Sequence, residues 1–390
     1  MSFLAPPATQ GKPGFPFPSY PPKGTVRQSC NGLLLLHEEG EYYVLNPATA
    51  HSLHLPYPSA WRDDDFMSLA FDPAVSLHYH VLSLGQVQEE RAEEPKEKVV
   101  PMLVYSSLTR QWEHQEFAPG YCAPGQLYNA VARSPDEHKR AFFSSNYWRG
   151  SIYMHCHNNV VMTLRPSKGT YGMVQLPGQP CSAKRFYDLP TNSVLASYER
   201  GVHYVAINIL QLRVWMLTES MDGQLGWTLA HDVNLNPDSH ITHPQRGLMV
   251  QSRVTWRVVE SSGETLSLTK YDNRDAVEDE DGADGSECSW NSDEDNFVDV
   301  VGSVVDDDCF APWGYMCRIM GFHPYKNALI LRDLWTVVVY HLDTSRMQYL
   351  GEIVELYKDE EEQCHCVYGS FTYRPCYKDV LPGGELSVPS

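Results

Sequence analysis

Two short clusters in this chain combine residue types that bind metals, His155-Cys156-His157 and Cys364-His365-Cys366. Alternate residues of a strand share a face, so His155 with His157, or Cys364 with Cys366, would present two ligands each. A closed zinc site takes four ligands, and nothing in the spacing brings the two pairs together. Buried small thiols and packed imidazoles are expected instead, with no metal. The acidic stretch from Asp272 to Asp308 fails as a calcium loop. With Gly282 as the required sixth-position glycine, position one is Val277; with Gly285, position three is Gly282 and position twelve is Asn291.

Covalent chemistry finds no better footing. The chain has no Gly-x-Ser-x-Gly elbow, no phosphate-binding Walker loop and no Gly-x-Gly-x-x-Gly fingerprint. A cysteine nucleophile needs no local motif, and 10 Cys with 16 His allow many chance pairings. The reading is a non-enzyme without catalytic residues or cofactor. Trp148, Arg149, Trp215, Trp227, Trp313 and Trp335 are residue types that dominate interface hot spots. They fall in or beside expected strands, so they are assigned to core packing, and binding is assigned to connecting loops at one end of the fold. No individual partner-binding residue is singled out.

The elements behind these residues read as short strands. Ser29-Cys30-Asn31-Gly32-Leu33-Leu34-Leu35-Leu36, Tyr42 to Asn46 and Leu53 to Leu55 are apolar runs separated by turn residues, the pattern of an antiparallel meander. One kind of punctuation recurs at Asn46-Pro47-Ala48-Thr49, Ser106 to Thr109, Arg165 to Gly169, Thr218 to Ser220 and Leu342 to Ser345. The starts of these segments lie 60, 59, 53 and 124 residues apart. A period of this size fits the blades of a β-propeller, each a four-stranded sheet that is not stable alone. The doubled interval should hide one more blade, with a hairpin of Arg253 to Val259 and Glu264 to Leu268 about Ser261-Ser262-Gly263. Dividing the chain by the period gives six blades, or seven if some are shorter.

Composition agrees with an all-β fold: 12% of residues are aromatic, and 27 prolines and 26 glycines break the chain too often for long helices. Residues 1–27 form a Pro-rich tail expected to be disordered, residues 28–383 the propeller, and 384–390 a second tail. Two polar inserts interrupt the strands, Glu89 to Lys98 and the acidic 272–308. The second holds fifteen acidic residues and one basic one, and so −14 of the net charge of −19. It is expected to be largely disordered. Such a balance argues against nucleic acid and anionic membranes, which are held by clustered Lys and Arg. No secretory leader, apolar run of spanning length or Asn-x-Ser/Thr acceptor occurs, and the cysteines are spread out. An intracellular protein, cytoplasmic or nuclear, with reduced thiols is expected.

The wording of several segments is also familiar. Ser29 to Leu36 followed by Tyr43-Val44-Leu45-Asn46-Pro47-Ala48-Thr49 resembles the opening of the F-box-associated domain of plant F-box proteins, a kelch-like β-propeller. Leu69 to Tyr79, Tyr147 to Cys156, Leu212 to Leu217 with Trp227 to Val233, and Gly321 to Tyr325 resemble later landmarks of that family in the same order. The resemblance implies a protein-recognition module that captures target proteins for a ubiquitin ligase, while a separate F-box joins the SKP1-type adaptor and cullin. No F-box is expected ahead of Ser29. Joining the adaptor and cullin therefore depends on an F-box supplied upstream, and the alternative is a free-standing propeller scaffold unconnected with ubiquitin.

Overall fold

The computed structural model describes residues 2–5, 25–57, 66–84, 99–120, 142–156, 159–177, 193–198, 201–208, 211–235, 257–260, 265–266, 297–298, 317–333, 336–352 and 372–381. Among them the regular structure is strand, apart from one 3-10 turn at Pro166–Lys168, and there is no α-helix. The chain forms two compact units. One comprises Met1–Pro21 and Leu235–Tyr368, the other Pro22–Asn234 and Gly369–Ser390.

The first unit contains β1 (Ser2–Ala5), which falls inside the stretch read as a tail. The second unit holds four antiparallel meanders in chain order. They are β2 (Thr25–Cys30), β3 (Leu33–Glu38), β4 (Glu41–Asn46) and β5 (His51–His54); then β6 (Phe66–Ala70), β7 (His80–Leu84), β8 (Val100–Ser106) and β9 (Gln111–Pro119). The third is β10 (Phe142–Trp148), β11 (Ser151–Cys156), β12 (Val160–Arg165) and β13 (Thr170–Gln175). The fourth is β14 (Ser193–Tyr198), β15 (Gly201–Asn208), β16 (Gln211–Glu219) and β17 (Leu225–Asn234). A short parallel pairing of Thr170 with Ala118 and Tyr171 with Pro119 joins the second and third meanders at their last strands.

The first unit also holds β18 (Arg257–Glu260), β19 (Thr265–Leu266), β20 (Phe297–Val298), β21 (Cys317–Phe322), β22 (Ala328–Asp333), β23 (Thr336–His341) and β24 (Arg346–Glu352). β18 and β19 form the expected hairpin, and β1 pairs antiparallel with β18. β21 to β24 form a further meander, to whose last strand β20 adds; β20 lies within the acidic 272–308. The rest of that stretch, the insert Glu89 to Lys98 and the cluster Cys364-His365-Cys366 lie outside the described residues.

All five punctuation segments fall between the third and fourth strand of a meander. In four of them the turn closes on a residue in the left-handed region: Ala50, Arg110, Gly169 and Ser345, with φ of 56°, 57°, 59° and 54°. Between β2 and β3 the turn is Asn31-Gly32, φ 47° and 95°, and between β10 and β11 it is Arg149-Gly150, φ 46° and 79°. Two left-handed residues in a two-residue turn match the right-handed twist of the flanking strands. Gly32 has a second reason to be glycine. A Cβ there would stand 2.5 Å from the Cβ of Cys376 and 2.7 Å from the Arg374 carbonyl oxygen.

Side-chain alternation then builds the core of the second unit. Cys30, Leu33, Leu35 and Val44 of the first sheet pack with Met67, Leu69, Phe71, Val81 and Tyr105 of the second. The opposite face of the second sheet, with Leu82, Met102, Val104 and Phe117, packs on Ile152, Met154, Met162 and Leu164 of the third. The third in turn presents Tyr153, Val161 and Leu176 to Leu195, Val202 and Tyr204 of the fourth. Each sheet with a neighbour on both sides therefore buries both faces, and each fully buried Leu or Val contributes on the order of 2 kcal/mol.

Candidate functional site

The first strands of the four sheets run the same way and are fastened to one another by polar side chains. The Gln28 amide donates to the Leu69 carbonyl at 3.2 Å and accepts from the Leu69 N–H at 2.6 Å, a side chain standing in for a ladder rung between β2 and β6. Ser68 of β6 donates to Ser145 of β10 at 2.9 Å, and the Asn146 amide of β10 bonds the Leu195 carbonyl of β14. Each of these groups would cost free energy if buried without its partner, so the fasteners specify which strands neighbour which.

Parallel first strands place equivalent turns at one end. That end of the second unit collects the turns after the first strand of the first three sheets and after the third strand of all four. Cys30 Sγ and the Asn31 amide reach the Phe71 carbonyl at 3.4 and 2.7 Å, tying the first such turn to the second. The second turn is built on Asp72, whose carbonyl accepts from the N–H groups of Val75 and Ser76 and whose carboxylate accepts from Ala74 at 2.9 Å. This folds the loop so that Val75 and Leu77 are 81% and 46% exposed.

Residues 372–381 lie on the same end. Asn46 is fully buried there: its amide donates to the carbonyls of Cys376 at 2.9 Å and Lys378 at 3.4 Å, while its oxygen accepts from Ala48 N–H at 3.1 Å. Cys376 and Leu381 enter the core between the first two sheets. The Lys378 ammonium bonds the Pro73 carbonyl, and Asp379 sits 3.5 Å from His51. Between this segment and the turns lies a cleft of about 240 Å³ lined by Leu53, His78, Tyr79, Ser107, Arg110, Asp379, Val380 and Leu381. Leu108, next to the lining residue Ser107, and Tyr377, two positions before the lining residue Asp379, are 65% and 70% exposed.

The residues singled out from sequence behave as packing groups. Cys156 is fully buried, and burial pushes its thiol up to about 12; Cys30 is pushed to about 12 in the same way. Burial of this kind disfavours the thiolate, the form in which a cysteine acts as a nucleophile or metal ligand. The buried His155 stands edge-on to the Tyr204 ring at 5.8 Å. His157 lies outside the described residues, among which no group of three or more His, Cys, Asp or Glu could hold a metal. Trp215 stacks on Tyr204 at 5.6 Å and Trp227 approaches it at 6.1 Å, both against the core of the third and fourth sheets. Trp148 packs on the same core with the Arg149 guanidinium 4.7 Å from its ring. Trp313 and Trp335 lie outside the described residues.

Sequence reasoning placed binding on loops at one end but named none of Val75, Leu77, Leu108 or Tyr377. Apolar residues within turn segments were the available signal. Among the described residues no helix is long and apolar enough to cross a membrane.

No known family model matches this chain, and no curated protein matches it. Among solved structures it is similar to a chain of the mitotic checkpoint complex, with TM-score 0.37 and 9% identity over 90% of this chain and 86% of that one. The WD40 repeats of RRP9 give TM-score 0.37 and 8% identity over 90% and 86%. U3-55K gives 0.37 and 8% over 86% and 83%. Likeness at this distance transfers neither activity nor partner.

Proposed function

We propose that this chain is a protein-recognition β-propeller that holds a target protein on the turn-bearing end of its second unit. One observation carries the reading: Val75, Leu77, Leu108 and Tyr377 are exposed around a cleft, on an end otherwise fixed by buried hydrogen bonds. Large apolar groups on a rigid rim desolvate at little entropic cost, which is what a partner surface needs. In the finer form the module is a kelch-like ring of six or seven blades, of F-box-associated type, acting inside the cell. It captures a substrate for ubiquitination, and adaptor, cullin and transfer chemistry belong to other polypeptides. Its contribution is positioning.

Two experiments test this. In affinity purification of the tagged chain from its own cells, Leu108→Asp with Val75→Asp should remove specific partners that survive Tyr57→Asp, a change at an exposed residue following β5. Partners indifferent to the double variant would refute the assignment of this end. A retained partner whose half-life is unchanged when the chain is depleted would favour the free-standing scaffold over the ubiquitin role.

A further inference from the structure

Among the described residues the cleft holds three donors that packing leaves unused. The Tyr79 side chain is only 1% exposed, yet its phenol oxygen has no hydrogen-bond partner among the described residues. Burial, reinforced by the nearby Tyr105, raises this phenol above its ordinary range, so the O–H stays protonated and lacks an acceptor. A buried donor left unmade costs free energy that a ligand recovers. Arg110 forms no ion pair among the described residues, although it is close enough to Tyr79 to offset part of that rise. The Ser107 hydroxyl accepts from the Tyr79 backbone N–H at 2.9 Å and keeps its own proton to give. The one carboxylate in the lining, Asp379, faces His51.

We propose that this cleft seats the carboxylate of an Asp or Glu side chain on an extended segment of a partner protein, with the segment's apolar neighbours covering Val75, Leu77 and Leu108. The inference rests on the protein-binding reading of this end and adds the chemistry of the partner. Among the described residues one guanidinium without an ion pair, set beside neutral O–H donors, matches a single negative charge, whereas phosphorylated motifs are held by clusters of cations. The neighbouring cation Lys378 is engaged with the Pro73 carbonyl. The cleft volume of about 240 Å³ admits an acidic side chain.

The test selects random displayed dodecapeptides on the full chain and measures the enriched peptides against variants. Enriched peptides should share an acidic residue among apolar ones. Changing that residue to its amide should weaken binding about tenfold or more on the parent chain and less than about twofold on Arg110→Gln, the signature of a coupled pair. Tyr79→Phe, which deletes only the orphan oxygen, should weaken acidic peptides without lowering thermal stability. Peptides that lack an acid but are lost on Leu108→Asp would overturn the carboxylate and leave the binding end standing. Peptides indifferent to Arg110→Gln and Leu108→Asp, or no enriched peptide at all, would overturn both. Tighter binding when phosphoserine replaces the acid would overturn the choice of carboxylate.

Discussion

The first and fourth sheets of the second unit share one meander plan, yet one is sealed and the other open. In the first, Leu33, Leu34, Leu35 and Leu36 are all buried: one face packs on the second sheet, and Leu34, Leu36 and Leu45 pack with Tyr373 on the other. In the fourth, no residue of β17 is buried and Leu229 is half exposed. The β13 and β17 strands leave between them a cleft of about 370 Å³ lined by Met173 to Gln175 and Gln224 to Trp227. Strand pattern alone does not decide the stability of a sheet in a repeat; what is laid against it does.

The sharpest way to break this contrast is a matched pair of glycine replacements. Gly32→Ala drives a Cβ into Cys376 from a left-handed backbone and should cost about 3 kcal/mol or more. Gly226→Ala in β17 meets nothing within 4 Å and should stay within about 0.5 kcal/mol. Equal shifts in thermal midpoint would show that the first sheet is not sealed as described. Next in size, Asn46→Ala leaves the Cys376 and Lys378 carbonyls without their donor and should cost about 2 kcal/mol. Limited proteolysis should then cut within 372–381 before any other described segment.

A change of pH sharpens the same comparison. His203 and His231 of the fourth sheet are held below their ordinary value of 6.5, chiefly by burial. Below 6.5 the unfolded chain therefore binds these protons first, so stability is full above that pH and falls as pH is lowered through it. His80 of the second sheet acts in the same direction. Amide exchange in acid should open β15 to β17 before β2 to β4, and His203→Gln should narrow the gap. The smallest effect belongs to Leu229→Thr, expected within about 0.5 kcal/mol by denaturant titration because the side chain already meets water.

Much of this fold was legible in the sequence because its signals are local. Asn46-Pro47-Ala48-Thr49 and its four counterparts mark the third-to-fourth-strand turn wherever they occur, and Asn31-Gly32 and Arg149-Gly150 supply left-handed turns that short-range chemistry demands. The strand at Ser2–Ala5 was missed, since four residues are too few to show a period. The fasteners Gln28 to Leu69 and Ser68 to Ser145 were missed for a different reason. A polar residue inside a strand looks like a solvent-facing one until its neighbouring sheet is known. The site was hidden for the same reason: Tyr79 stands in the sequence only as the end of the landmark Leu69 to Tyr79, and that its buried phenol oxygen has no partner among the described residues follows from packing that no local pattern records.

The bond from Asn46 to Cys376 spans 330 positions of the chain. On the ribosome, where about 5–20 residues are added each second, roughly 15 to 65 s separate the birth of these two partners. Throughout that interval the four consecutive leucines of β3 exist without Tyr373, Cys376 and Leu381 to cover them. The sheet made earliest is thus the last to be finished, and its leucine-rich strand waits for residues 373–381 before both of its faces are covered.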